Sequence, residues 1–409
     1  MKCFSTCIWY RRKGLKVVKI RISRKIENNL FYFAYLLYFI PRYLQYTTIT
    51  TMDKVSYMFS LIKSISYMFF AILCIFELCK IKKISIKIVF LGIIVISSVV
   101  IQVLKNDTNT LFVVLIISYA FANQDINLFI KRNFYYHFIM FGLVILLSVI
   151  GIIPNVSSKT IKYGYSVIKT SLGFNYPGQL QISMMTIVLL YYYVKNKKTV
   201  LTDLMCIILI TIGFFFSVTI MPYILSISFV VFNRIYTSDI NKQGKLKKFL
   251  VVHIATICAG ITFILTYLKS QNNLIVNFVD VLINHRLSLS NVAIMEDGIS
   301  LFGSGFRNIN EGIGGKYLYL DSEYMYMLVS NGIIYTIIVL LLIKFMIQYS
   351  YNKNNRTLNL ILFFICINGI INNGIISLII NPFSIILVQS IKQNLYKLRL
   401  IKNINIEKI

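Results

Sequence analysis

FYYHFIMFGLVILLSVIGII, residues 134–153, contains no aspartate, glutamate, lysine or arginine. As a helix it would rise about 30 Å, the thickness of a bilayer's hydrocarbon core. Long apolar stretches with at most two charged residues recur at 29–48, 55–79, 84–104, 109–124, 178–194, 200–217, 219–234, 249–268, 323–347, 358–376 and 378–394. They read as an all-α polytopic membrane protein with about twelve transmembrane helices in a membrane domain spanning 29–394. Composition agrees, since 57% of the 409 residues are hydrophobic and mean hydropathy is +0.73, beyond the range of a soluble globular domain. The turn at Ser217–Thr219 is marked only by a polar junction and Pro222.

Charge placement orients the helices. With both termini in the cytoplasm, most of the 42 Lys and Arg residues fall in cytoplasmic segments, as the positive-inside rule requires. The basic segment 1–28 and the tail 395–409 then lie inside, and two long outer loops remain, 154–177 and 269–322. The larger one joins the ninth and tenth spans. The net charge of +28 is scattered over many short segments without a base-stacking motif, which excludes a nucleic-acid partner. The run Arg11–Lys25 (RRKGLKVVKIRISRK) reads as an inside anchor or a contact for anionic lipid. Seven cysteines fall in the cytoplasm or within spans, and His137, His253 and His285 are far apart, so neither an outside disulfide nor a metal or other cofactor is expected.

Polar residues without a topological role concentrate in the outer loops. In the larger one, His285 and Arg286 precede a stretch that, if helical over 280–295, places Leu282, Arg286, Leu289 and Ala293 on one face. Such a helix on the membrane surface would aim Arg286 at lipid-linked headgroups, because guanidinium holds phosphate oxygens bidentately and stays charged. The alternative is an interfacial arginine that only orients the loop. Next come Glu296 and Asp297, LFGSGF (Leu301–Phe306), Arg307, the glycine-rich EGIGG (Glu311–Gly315) and LDSEY leading into the tenth span. Asp321 is either a general base facing outward or the N-cap of that span.

The stretch KTSLGFNYPGQL (Lys169–Leu180) resembles the signature loop of bacterial O-antigen and capsular polysaccharide polymerases of the Wzy type, within the O-antigen ligase-like superfamily. HRLSLSN, LFGSGF and LDSEYMYMLVSNGII, in that order, resemble the same family's catalytic outer loop. Together the resemblance covers roughly residues 160–340. It implies a metal-independent membrane glycosyltransferase in the bacterial cytoplasmic membrane, polymerising repeat units carried on undecaprenyl pyrophosphate. Membrane lipid, a flippase and a chain-length regulator are its implied partners. Arg286 and Asp321 would be catalytic, with Arg286 on the donor pyrophosphate and Asp321 and Tyr324 on the acceptor side. Lys169, Tyr176, His285 and Arg307 would bind substrate, and Gly173, Pro177, Gly303 and Gly332 would be structural. The chain departs from the family pattern at Lys169, Tyr176 and Gly178, where arginine, histidine and asparagine are usual.

Two rival functions stay open. A lipid-linked oligosaccharide flippase or another transporter would bury polar residues in the bundle, for which Lys63, Gln102, Asp203, Asn368, Asn372 and Asn373 are the candidates. A ligase that moves finished polysaccharide usually has histidine where Asp321 stands.

Overall fold

The computed structural model describes residues 4–7, 20–51, 53–79, 110–162, 165–195, 199–235, 244–306, 308–310 and 317–394. The expected span 84–104, the loop residues Arg307 and Glu311–Gly315, and the tail 395–409 lie outside them, as does most of Arg11–Lys25.

The described residues are mostly helical: α1 (Arg24–Leu44), α2 (Asp53–Cys79), α3 (Thr110–Ala120), α4 (Ile126–Val149), α5 (Pro177–Val194), α6 (Val200–Ser217), α7 (Ile220–Ile235), α8 (Lys245–Val252), α9 (Ile254–Ser270), α10 (Leu274–Leu282), α11 (Arg286–Asp297), α12 (Glu323–Tyr326), α13 (Gly332–Asn352) and α14 (Arg356–Asn368). The fold is not purely α, because three antiparallel two-stranded hairpins also form: β1 (Phe4–Cys7) with β2 (Ile20–Ser23), β3 (Ser157–Lys162) with β4 (Tyr165–Thr170), and β5 (Ile309–Asn310) with β6 (Tyr317–Leu318).

Among the described residues, four helices are long and apolar enough to cross a membrane: Val55–Cys79, Ile126–Val149, Val200–Ser217 and Glu323–Asn352. Counting the bent pair α8–α9, angled by 64°, as one span gives five. Several other expected spans fold as shorter pieces. The 11 residues of α3 rise only about 16 Å. The stretch 358–376 is helical only as far as Asn368 in α14, and 378–394 is irregular to Asn381, makes a tight turn over Pro382–Ile386 and is helical only over 387–394. Outward-facing apolar side chains on α2 and α4, among them Tyr57, Met68, Phe138 and Val149, mark surfaces suited to hydrocarbon rather than water.

The residues group into two compact units, one drawn from Met1–Phe90, Val114–Val194 and Ile208–Thr219, the other from Leu91–Val113, Lys195–Ile207 and Ile220–Ile409. In the first, Phe31 and Tyr35 of α1 pack edge-on or tilted against Phe70, Phe121 and Phe129, and the Tyr35 hydroxyl donates to Asn133 Oδ1 at 2.8 Å. Helix α5 is buried on every side from Gln179 to Leu190, as an all-round apolar helix at a core must be. Pro177 starts it, where a missing N–H costs nothing.

The loop 154–177 is folded. After the β3–β4 hairpin, Leu172 and Gly173 turn through positive φ, the Leu172 N–H donates to Asn155 Oδ1, and the Gly173 carbonyl accepts the Thr48 N–H at 3.0 Å. A side chain at Gly173 would meet Ser148 Cβ at 2.9 Å, so glycine is needed for both its dihedral and its space.

Candidate functional site

In the second unit the loop 269–322 packs against the start of the span that follows it, with Ala293, Phe306, Leu318 and Leu320 buried together with Met325 and Val329. The helix expected over 280–295 is broken. Helix α10 ends at Leu282, Asn284 and His285 adopt left-handed φ of 58° and 59°, and α11 begins at Arg286. Leu282 therefore does not share the face of Arg286, Leu289 and Ala293.

Asp280 accounts for the break. Its side chain is fully buried and its carboxylate accepts the Leu287 N–H at 2.8 Å, the Ser288 N–H at 3.2 Å and the Ser288 hydroxyl, while Lys269 Nζ lies 3.3 Å away. A carboxylate on the first-turn N–H groups of α11 satisfies donors that a helix start leaves open and favours the helix dipole. Burial pushes the Asp280 carboxyl up, but the Ser288 hydroxyl and N–H, the Lys269 ammonium and the Leu287 N–H outweigh it and hold it below the ordinary aspartate value. Asp280 thus sets where α11 starts, and with it the place of Arg286.

From the start of α11, Arg286 reaches two groups. Its Nε lies 3.3 Å from Asp321 Oδ2, and its Nη1 donates to the Ile371 carbonyl. Both side chains of the ion pair are partly exposed, Arg286 by 18% and Asp321 by 28%. These contacts use only part of the guanidinium's donor set. Burial pushes the Asp321 carboxyl above its ordinary value, and the Arg286 charge pulls against that. The residue capping α12 is Ser322, not Asp321, and its side chain makes no cap hydrogen bond.

Ile371 belongs to a segment that reads as membrane helix and is not one. Residues 369–381 (GIINNGIISLIIN) run irregularly between α14 and the Pro382–Ile386 turn, yet most are buried. Irregular backbone in an apolar stretch needs internal partners for its polar groups. The start of α12 supplies several: the Glu323 N–H donates to the Gly369 carbonyl at 3.0 Å, the Glu323 carboxylate accepts the Gly374 N–H, and the Tyr324 hydroxyl donates to the Cys366 carbonyl at 2.8 Å. Asn373 Nδ2 donates to the Leu320 carbonyl, and Asn372 Nδ2 to Asn368 Oδ1.

The span Glu323–Asn352 is itself interrupted. Met327–Asn331 form a widened turn and Gly332 has φ of 90°. The loop 300–306 docks there. The Ser304 N–H donates to the Val329 carbonyl and the Gly305 N–H to the Ser330 carbonyl, while Ser300 and Leu301 carbonyls accept the Ile333 and Ile334 N–H groups that open α13. A Cβ at Gly303 would lie 2.1 Å from the Ser330 carbonyl oxygen, and one at Gly332 would lie 2.2 Å from the Gly303 nitrogen. LFGSGF and SNGII are thus two halves of one backbone junction.

The structure pairs Arg286 with Asp321 beside the irregular segment, whereas Tyr324 is buried with its hydroxyl on the Cys366 carbonyl of α14, and His285 is exposed beside Asp280, its Nδ1 3.5 Å from the carboxylate. Lys169 and Tyr176 belong to the first unit. Lys169 pairs with Ser158 in the hairpin, and burial lowers its ammonium's pKa. Tyr176 is exposed and its hydroxyl donates to Gln179 Oε1 at 3.1 Å. Arg307 lies outside the described residues.

Asp280, Glu323 and the segment 369–374 are the components that sequence reasoning did not assign to the site. The Asn-Asn-Gly at 372–374 is a turn signal that could have flagged the last of them. Comparisons with protein families, curated proteins and solved structures found no match to this chain.

Proposed function

We propose that the chain is a membrane glycosyltransferase that polymerises polysaccharide repeat units, taking the growing glycan from undecaprenyl pyrophosphate to a lipid-linked repeat unit at the outer face of the bacterial cytoplasmic membrane. The proposal includes about twelve crossings with both termini inside. The observation that carries it is the partly exposed Arg286–Asp321 pair, held by the folded loop 269–322 against an irregular, buried segment of an apolar stretch. The order of the sequence motifs supports the same reading.

In this mechanism the acceptor sugar hydroxyl attacks the anomeric carbon of the donor glycan. The bond from that carbon to the pyrophosphate oxygen breaks, and its electron pair leaves with the polyprenyl pyrophosphate. Arg286 stabilises the charge developing there through donors it does not spend on Asp321 and Ile371. Asp321 takes the hydroxyl proton; its raised pKa makes it a better base than an ordinary aspartate while Arg286 favours its ionised form. Binding of the pyrophosphate would draw Arg286 off Asp321 and free the carboxylate for that step.

The test is polymer length in strains carrying Arg286→Ala or Asp321→Asn. Both proteins should insert normally and make no long chains. Normal chain length with Arg286→Ala removes the arginine from the site, and normal length with Asp321→Asn removes the base.

One observation favours a second reading, a lipid-linked oligosaccharide flippase or transporter. Asn368, Asn372 and Asn373 cluster at an interrupted apolar helix, as polar groups do at transporter binding sites. A ligase-type transferase would use the same Arg286–Asp321 geometry with a different acceptor.

A further inference from the structure

Helix α10 (Leu274–Leu282) carries its apolar residues on the wrong side for a helix packed in a water-soluble loop. Leu274, Ile275 and Phe278 are 85%, 76% and 66% exposed, and Val281 and Leu282 are exposed with them. At 3.6 residues per turn these five occupy one arc of roughly 120°. The opposite face is committed to the protein. Val276 and Asp280 are buried there, Asp280 holds the start of α11, and Asn277 Oδ1 accepts from Lys269 Nζ at 2.7 Å. The helix cannot roll its apolar face inward without breaking those contacts.

We propose that α10 is an interfacial helix whose Leu274–Ile275–Phe278 face lies in the lipid at the membrane surface. The neighbouring helix favours lipid over a protein partner. Helix α9, part of the bent pair apolar enough to cross a membrane, exposes Ile261, Phe263, Ile264 and Tyr267, and only Gln271–Asn273 separate it from α10. Exposed apolar side chains therefore stand on both sides of a three-residue turn, on a helix of a candidate span and on α10. Asn273 caps α10 by accepting the Ile275 and Val276 N–H groups, so the helix starts immediately after that turn. A helix with such a face settles about 5–10 Å into the headgroup and acyl boundary. Through Asp280, it would set the depth at which Arg286 meets a headgroup. The placement itself does not depend on the proposed function.

The chain has one tryptophan, Trp9, which allows a clean test. The full-length protein carrying Trp9→Phe and Phe278→Trp is reconstituted into phosphatidylcholine and phosphatidylglycerol vesicles with acyl chains brominated near the carbonyl end or near the methyl end. The expected result is blue-shifted emission, a larger loss of fluorescence with the shallow bromines than with the deep ones, and little quenching by aqueous iodide. Quenching by iodide without quenching by brominated lipid would place the face in water. Shielding from both would mean that another protein surface or a second copy covers it. Either result overturns the proposal. Leu274→Trp in the Trp9→Phe background provides a second reporter on the same face should Phe278→Trp fail to insert.

Discussion

Replacing Asp280 by Asn tests whether one buried carboxylate organises the loop 269–322. The carboxylate accepts two backbone N–H groups and a hydroxyl and lies against the Lys269 ammonium. Asparagine keeps one acceptor oxygen, but its NH2 group then faces the Ser288 hydroxyl and Lys269 Nζ, the second of which can only donate. Removing one partner of a buried ion pair costs about 3–5 kcal/mol. Lys269 is 20% exposed and retains Asn277 Oδ1 at 2.7 Å, which puts the cost at the lower end, about 3 kcal/mol. At 1.4 kcal/mol per factor of ten, local opening of the start of α11 becomes roughly 100-fold more frequent. Hydrogen exchange read by mass spectrometry on peptides covering 283–291 measures this at neutral pH. Protection should fall by about two orders of magnitude there and stay unchanged in α5 of the first unit. Unchanged protection in 283–291 would refute the reasoning, because it would mean that α11 starts without Asp280.

Three other outcomes follow from the same geometry. The stabilisation from Asp280 should be complete above the unfolded aspartate pKa of about 3.9 and lost as pH falls through the lower folded value, so the thermal midpoints of wild type and Asp280→Asn in detergent should converge in strongly acidic buffer. Gly303→Ala should cost about 2–4 kcal/mol, because φ is 82° and the new Cβ would lie 2.1 Å from the Ser330 carbonyl oxygen; Gly298→Ala, with φ of 72° and open space, should cost only about 1–2 kcal/mol, and thermal inactivation of the two proteins compares them. Tyr324→Phe deletes the 2.8 Å hydrogen bond to the buried Cys366 carbonyl and should lower stability by about 1–3 kcal/mol in the same assay, while a stability equal to wild type would show that the bond is dispensable.

Long apolar runs bounded by charge or proline were the most legible part of the fold. The expected 200–217 coincides with α6, 178–194 differs from α5 by one residue at its start, and the tenth span begins at Glu323 as read. Residues 369–381 misled because isoleucine-rich sequence is buried whether helical or not, and hydrophobicity alone cannot report that Asn372–Gly374 turn the chain. The β3–β4 hairpin was invisible for the opposite reason, since SSKTIK carries a single apolar residue and in YSVIKT the adjacent Val167 and Ile168 break the alternation. Arg286 and Asp321 stood out as charges in an expected outer loop, but their pairing depends on a turn at Asn284–His285 whose cause, Asp280, is a contact within the loop rather than a pattern along it. Gly303 and Gly332 were legible as glycines needed for structure, and only the backbone shows that each occupies the space the other leaves.

The fate of lipid-linked repeat units in a strain lacking this protein bears most directly on the proposed function. Mass spectrometry sizes the units, and a membrane-impermeant reagent reports which face of the cytoplasmic membrane they occupy. Polymerisation predicts single repeat units accumulating on the outer face, restored to long chains by the wild-type protein and not by Arg286→Ala. Single units trapped on the inner face would contradict it and assign the chain to transport.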